Sequence, residues 1–108
     1  MNILKKLIFI IKQNKKKSSK VSYTAFLIKK GSGFCINKFM EESKELSHAL
    51  KKNIRKNIIS ESADMLYHFF VLLELKKIKF SSILRELQKR QKISGIEEKL
   101  SRKNVRYK

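Results

Sequence analysis

Five carboxylates in this chain have a spacing that could do chemistry: Glu41, Glu42 and Glu45 in MEESKEL, then Glu61 and Asp64 in ESADMLYHFFVLL. Acid is scarce, with 9 Asp and Glu against 27 Lys and Arg, yet six of the nine lie between Phe34 and Leu75. Residues three apart share a helical face, so Glu42 and Glu45 form one pair and Glu61 and Asp64 another. Lys38, Glu42, Glu45 and Ala49 fall along one line with Glu41 beside it, and Glu61, Asp64 and His68 fall along a second. Placed face to face, the two lines put Glu42, Glu45, Glu61 and Asp64 around one small volume. Carboxylates that close repel unless a cation joins them. Hard oxygen donors suit Mg²⁺, which commonly arrives with a phosphate substrate.

Taken singly, an acidic helix residue is more often solvated or paired with a Lys three or four positions away, and Lys38 with Glu41 or Glu42 fits that description. The set resists it, because Glu61 and Asp64 adjoin the apolar run ADMLYHFFVLL and are expected to be partly buried, where a carboxylate needs a partner. His68 and Tyr67 read as packed core residues. Glu74 and Glu86 lie off both acidic lines and read as surface residues.

The elements that must position these groups are helical, since the apolar period is near 3.6 almost throughout. An opening helix carries Ile3, Leu4, Leu7, Ile8, Ile10 and Ile11 as a packing stripe, followed by the linker QNKKKSSK. A short helix runs through SYTAFLIKK, with Ser22 as N-cap and Gly31 ending it, and GSG (residues 31–33) forms a turn. A long helix from Phe34 to about Lys52, a break at NIRK (53–56) and a second long helix of about twenty residues make antiparallel neighbours. The serines of SSILRELQKRQ can cap a last helix. The expected fold is all-α, a bundle of about five helices, with residues 1–92 as the domain and 93–108 as a polar, partly ordered tail.

Composition narrows the class. With 108 residues the chain makes one domain at most and a modest core. Its net charge of +18 comes from 22 Lys and only 5 Arg, spread along the chain, beside 13 Ile and no Pro or Trp. That usage reflects drift toward A/T-rich codons more than a nucleic-acid surface, which concentrates Arg and interleaves aromatics. The single Cys35 forms no internal disulfide and suits a reducing, cytoplasmic setting. LIFII is far too short to span a membrane, which takes roughly 20 apolar residues.

Read together, SYTAFLIKKG, MEESKEL, ESADMLYHFFVLL and SSILRELQKR resemble the phosphoribosyl-ATP pyrophosphatases of histidine biosynthesis, a branch of the all-α MazG-like nucleoside triphosphate pyrophosphatases. The superfamily pattern is a Glu-x-x-Glu pair followed, after a variable spacer, by Glu-x-x-Asp. Here Glu42 and Glu45 precede Glu61 and Asp64. The likeness runs from about Ile3 to Lys103, and SGIEEKLSRK resembles the tail of some members. Two positions depart from the family: Met40 where it has Gly, and Ser43 where it has Ala.

The resemblance implies Mg²⁺-dependent hydrolysis of the α–β phosphoanhydride of N1-(5-phosphoribosyl)-ATP to phosphoribosyl-AMP and pyrophosphate, the second step of L-histidine biosynthesis. It implies Glu42, Glu45, Glu61 and Asp64 as metal ligands, with Glu41 as a further ligand or an orienter of water, and one glutamate as base. Lys38 would meet a phosphate; Ser22, Tyr23, Thr24, Lys30 and Gly31 would hold the phosphoribosyl end. A homodimer is expected to cover the broad apolar faces around Phe69, Phe70, Leu72 and Leu73, and a link to phosphoribosyl-AMP cyclohydrolase follows from the product. The rival readings are a housekeeping (d)NTP pyrophosphatase of the same superfamily and a non-catalytic basic helical protein that binds nucleic acid.

Overall fold

A computed structural model describes residues 2–91, so the expected tail at 93–108, with SGIEEKLSRK, lies outside the described residues. Within them are five helices and no strand: α1 (Ile3–Asn14), α2 (Tyr23–Lys30), α3 (Ser32–Lys52), α4 (Arg55–Lys76) and α5 (Phe80–Arg90). The all-α helical expectation holds. The described residues divide into two compact units, 2–77 and 78–91.

In the first unit, α3 and α4 form the central hairpin. Its antiparallel register is visible in the side chains: Phe39 meets Phe69 at 6.0 Å between ring centroids, while Glu45 sits beside Glu61. The link between them is Asn53–Ile54, shorter than the NIRK break the sequence suggests, because Arg55 and Lys56 already belong to α4. Asn53 turns the chain in the left-handed conformation (φ 57°), which asparagine tolerates better than most residues. Ala49 is buried on α3, where its small side chain allows close packing.

α2 packs on this hairpin and starts where the sequence places it. Ser22 Oγ accepts from the Ala25 N–H at 3.1 Å, and Gly31 ends the helix at φ 97°, a conformation that a Cβ would strain. Gly31 alone makes the corner. α3 starts at Ser32, so the expected GSG turn shrinks to one residue. Buried Cys35 donates Sγ–H to the Leu27 carbonyl at 3.0 Å, and burial raises its thiol pKa, as suits an inert packing residue.

α1 departs from its expected stripe. Ile11 is buried and Leu7 and Ile8 are half-buried, while Ile3, Leu4 and Ile10 stay exposed. The helix is anchored instead through charge. Lys12 and Lys15, one turn apart, donate to the two carboxylate oxygens of Glu74 on α4 at 2.8 and 2.5 Å. Glu74 is therefore not the surface residue its position suggested, its side chain being only 10% exposed. Desolvation pushes that carboxyl up, but the two ammonium groups outweigh it and hold the pKa below the ordinary 4.5.

The second unit holds α5. Ser81 and Ser82 lie inside this helix, which Lys79 precedes without a side-chain cap, so the expected serine cap does not form. Ser82 Oγ accepts from Arg85 Nη2, and exposed Glu86 pairs with Arg90 at 3.1 Å, the surface role expected of it.

Candidate functional site

The acidic site is built across the α3–α4 hairpin. One carboxylate oxygen from each of Glu42, Glu45 and Glu61 lies within 4.8 Å of the other two. Three of the four expected ligands thus converge, two from α3 and one from α4. Glu42 and Glu61 are half-buried and Glu45 is exposed.

Asp64 lies one turn along α4 from Glu61, outside this closest set and exposed, against the expectation of partial burial. It remains an electrostatic neighbour, because its charge raises the pKa of both Glu42 and Glu61. Glu41 is outside the converging set but lines the groove that Glu45 and Glu61 share. It is exposed and bridges to Lys38 Nζ at 3.2 Å, the ordinary i,i+3 surface pair.

The electrostatics of the converging groups all run one way. Desolvation, then the charges of Glu45, Asp64 and Glu42, push the Glu61 carboxyl above 4.5. Desolvation, then Glu45, raise Glu42, with Asp64 adding and the charges of His68 and Lys38 opposing. Glu61 Oε1 is also buried with no hydrogen-bond partner among the described residues. A buried carboxylate oxygen without a donor, facing two further carboxylates, is a costly arrangement for the bare protein. Three oxygen donors from two helices have the chemistry to hold a hard divalent cation.

The remaining expected site residues divide by what they touch. Ser22 and Thr24 are buried and internally engaged: Ser22 caps α2, and Thr24 Oγ1 shares a 2.5 Å hydrogen bond with Tyr67 Oη. Lys30 lies over the rings of Phe26 and Phe34 at 5.8 and 5.4 Å, a cation–π placement, and Gly31 forms the corner beyond it. The structure does not bring Lys30 or Gly31 to the carboxylates. Tyr23 is different, being half exposed with its hydroxyl 3.4 Å from His68 Nε2.

His68 itself is buried and hydrogen-bonded, as read from the sequence. Its Nδ1 is 3.0 Å from the Asp64 carbonyl, which can only accept, so Nδ1 carries the proton. Its Nε2 faces the Tyr23 hydroxyl. Tyr23, His68 and Tyr67 form an aromatic wall beside the acidic turn of α4, their ring centroids 5.1 to 6.2 Å apart.

Sequence reasoning overlooked the cleft on the other side. Glu45 and Glu61 are shared with an open groove that Lys44, His48, Lys52 and Asn57 also line. The available signal was the spacing of Lys44, His48 and Lys52, four residues apart on one helix, which overall basicity obscured.

Comparison with known proteins finds relatives of this chain. A family model described as phosphoribosyl-ATP pyrophosphohydrolase matches residues 4–91. A protein named phosphoribosyl-ATP pyrophosphatase 1 from Bradyrhizobium diazoefficiens is 48% identical over 82 residues, covering 76% of this chain and 77% of its own. A phosphoribosyl-ATP pyrophosphatase from Vesicomyosocius okutanii is 41% identical over 102 residues, covering 94% and 97%. The histidine biosynthesis bifunctional protein HisIE of Helicobacter hepaticus is 45% identical over 103 residues, covering 95% of this chain, which spans 45% of that longer protein.

Proposed function

We propose, from the premise that this chain belongs to the phosphoribosyl-ATP pyrophosphohydrolase family, that it hydrolyses phosphoribosyl-ATP to phosphoribosyl-AMP and pyrophosphate in L-histidine biosynthesis. The observation that carries the reading is the convergence of Glu42, Glu45 and Glu61 from two helices, with an unpartnered buried oxygen on Glu61. Family membership favours neither the housekeeping nucleotide reading nor the nucleic-acid reading.

Glu42, Glu45 and Glu61 would hold Mg²⁺, with Asp64 completing the set from one turn away. When bound, the ion supplies charge neutralisation on the phosphate oxygens and a lowered pKa for water. The protein's own part is mainly positional. The hairpin fixes three carboxylates before substrate arrives, so their mutual repulsion is met during folding and not at the moment of reaction. One glutamate of the cluster would take the proton from the attacking water. Glu41 and Lys38, paired at the rim, can part to orient water and meet a phosphate respectively. Tyr23 offers an exposed ring and hydroxyl to the phosphoribosyl end, while Ser22, Thr24, Lys30 and Gly31 hold α2 in the place that presents it.

A homodimer belongs to the same reading. Phe70, expected on the dimer face, is buried within the chain and Phe69, Leu72 and Leu73 are half-buried, so the apolar surface left for a partner is at Ile3, Phe9, Met40, Leu50 and Ile59, which are exposed. Residues 1–92 would be the catalytic domain, and cytoplasmic residence is proposed alongside. Among the described residues no helix is long and apolar enough to cross a membrane. The relative named as bifunctional supports a functional link to a second histidine-pathway activity, for which phosphoribosyl-AMP cyclohydrolase, consuming the product, is the proposed partner.

The test is turnover by purified protein with Mg²⁺, phosphoribosyl-ATP and a pyrophosphate assay, run beside a panel of deoxynucleoside triphosphates. Release of pyrophosphate from phosphoribosyl-ATP well above the panel, lost in the Glu42→Gln/Glu61→Gln double variant, is the expected result. Equal turnover of the panel would favour the housekeeping reading, and salt-sensitive nucleic-acid binding without turnover would favour the third.

A further inference from the structure

We infer that the groove beside the carboxylates is the seat of the departing pyrophosphate, with Lys44 and Lys52 of α3 as the residues that grip it. The inference rests on the proposed hydrolysis and goes beyond it by assigning one end of the substrate to one side of the site. Glu45 and Glu61 belong both to the carboxylate set and to this groove, so a phosphate chain held at the carboxylates has the groove as its continuation. Lys44, His48 and Lys52 follow one another at four-residue intervals along the α3 wall, and Asn57, one turn before Glu61, stands on the α4 wall.

Charge selects the occupant. The converging glutamates repel a polyphosphate, and although each product keeps two phosphates, those of pyrophosphate are adjacent, so its charge is the more concentrated and needs the closer pair of cations. Lys44 and Lys52 form no ion pair among the described residues, although Glu41 and Glu45 line the same groove. Lys38, nearer the start of α3, is by contrast paired with Glu41. Free ammonium groups beside a carboxylate site are suited to phosphate oxygens, and Asn57 can donate from the opposite wall. The other flank of the site, with Tyr23 and His68, is aromatic and suits the nucleoside and ribosyl part.

The experiment compares wild type with Lys44→Ala, Lys52→Ala and the matching Arg variants by two readouts: KM for phosphoribosyl-ATP, and the Kd of pyrophosphate measured calorimetrically with Mg²⁺. Loss of one charge-assisted hydrogen bond corresponds to about a tenfold change. Each Ala variant is expected to raise KM and pyrophosphate Kd together by about that factor, and the Arg variants to restore most of both. A Lys17→Ala/Lys20→Ala control removes two charges from a different groove and is expected to move neither. The inference fails if the Ala variants leave pyrophosphate Kd unchanged, if KM alone rises, or if the control shifts both equally. Absence of wild-type turnover would instead overturn the proposed hydrolysis, and so marks a separate failure.

Discussion

Glu45 of α3 and Glu61 of α4 sit sixteen positions apart in the chain yet present carboxylate oxygens within 4.8 Å of each other. Like charges are held together there by the apolar contacts of the hairpin on either side, Ala49 toward its closed end and Phe39 with Phe69 toward its open end. The site therefore stores repulsion that a cation can relieve.

Glu61→Gln removes one of the repelling charges and keeps the shape. The metal-free variant is expected to melt at a higher temperature than metal-free wild type, while turnover falls by about a thousandfold through loss of a ligand. Thermal unfolding in EDTA and a pyrophosphate assay check the two halves. A lower melting temperature in EDTA would mean that Glu61 is stabilised by a partner other than a cation.

Divalent ions are expected to stabilise the wild type by mass action, about 2.7 kcal/mol when free ion reaches a hundred times its Kd. Melting temperature measured against Mg²⁺ or Mn²⁺ concentration should rise and level off. The Glu42→Gln/Glu61→Gln variant should show no such rise, and chelation should reverse it in the wild type.

The Glu74 bridge predicts an acid limb. Its folded pKa lies below 4.5, so the pair contributes stability that is fully present above the unfolded value and disappears as pH falls through the folded one. Glu74→Gln is expected to cost about 1 kcal/mol at neutral pH, since Lys12 is largely exposed and screening limits the gain. The deficit should vanish as pH falls through the lowered folded pKa, below the ordinary carboxylate value. Urea unfolding of both proteins, followed from neutral pH into the acid range, measures it.

Lys77 closes α4 with φ 56°, in a region where a side chain is strained. Lys77→Gly is expected to raise stability by up to about 1 kcal/mol, the ordinary difference between glycine and a larger residue at a left-handed cap. Chemical denaturation with an unchanged m-value would support it. Asn53→Gly should gain less, because asparagine already tolerates this conformation.

The sequence by itself determined the helices and the direction each acidic pair faces. Those properties are local: a 3.6-residue period, a Ser22 cap and a Gly31 stop act within a turn or two of chain, so Glu42 and Glu45 share a face wherever the helix is placed. It also carried the resemblance to the family. What only the tertiary structure decided was which side chains meet. Asp64 stands a turn away because the α3–α4 register sets Glu61, and not Asp64, opposite Glu45. Glu74, unremarkable among its neighbours, became a buried ion-pair centre because α1 packs with Lys12 and Lys15 toward it. Ser22 and Thr24 turned inward to cap and to brace, and Lys44 and Lys52, lost among 22 lysines, were singled out by the groove they line. Local geometry follows from residue type and spacing, whereas cross-helix pairing depends on packing between segments distant in the chain, which no short window of sequence contains.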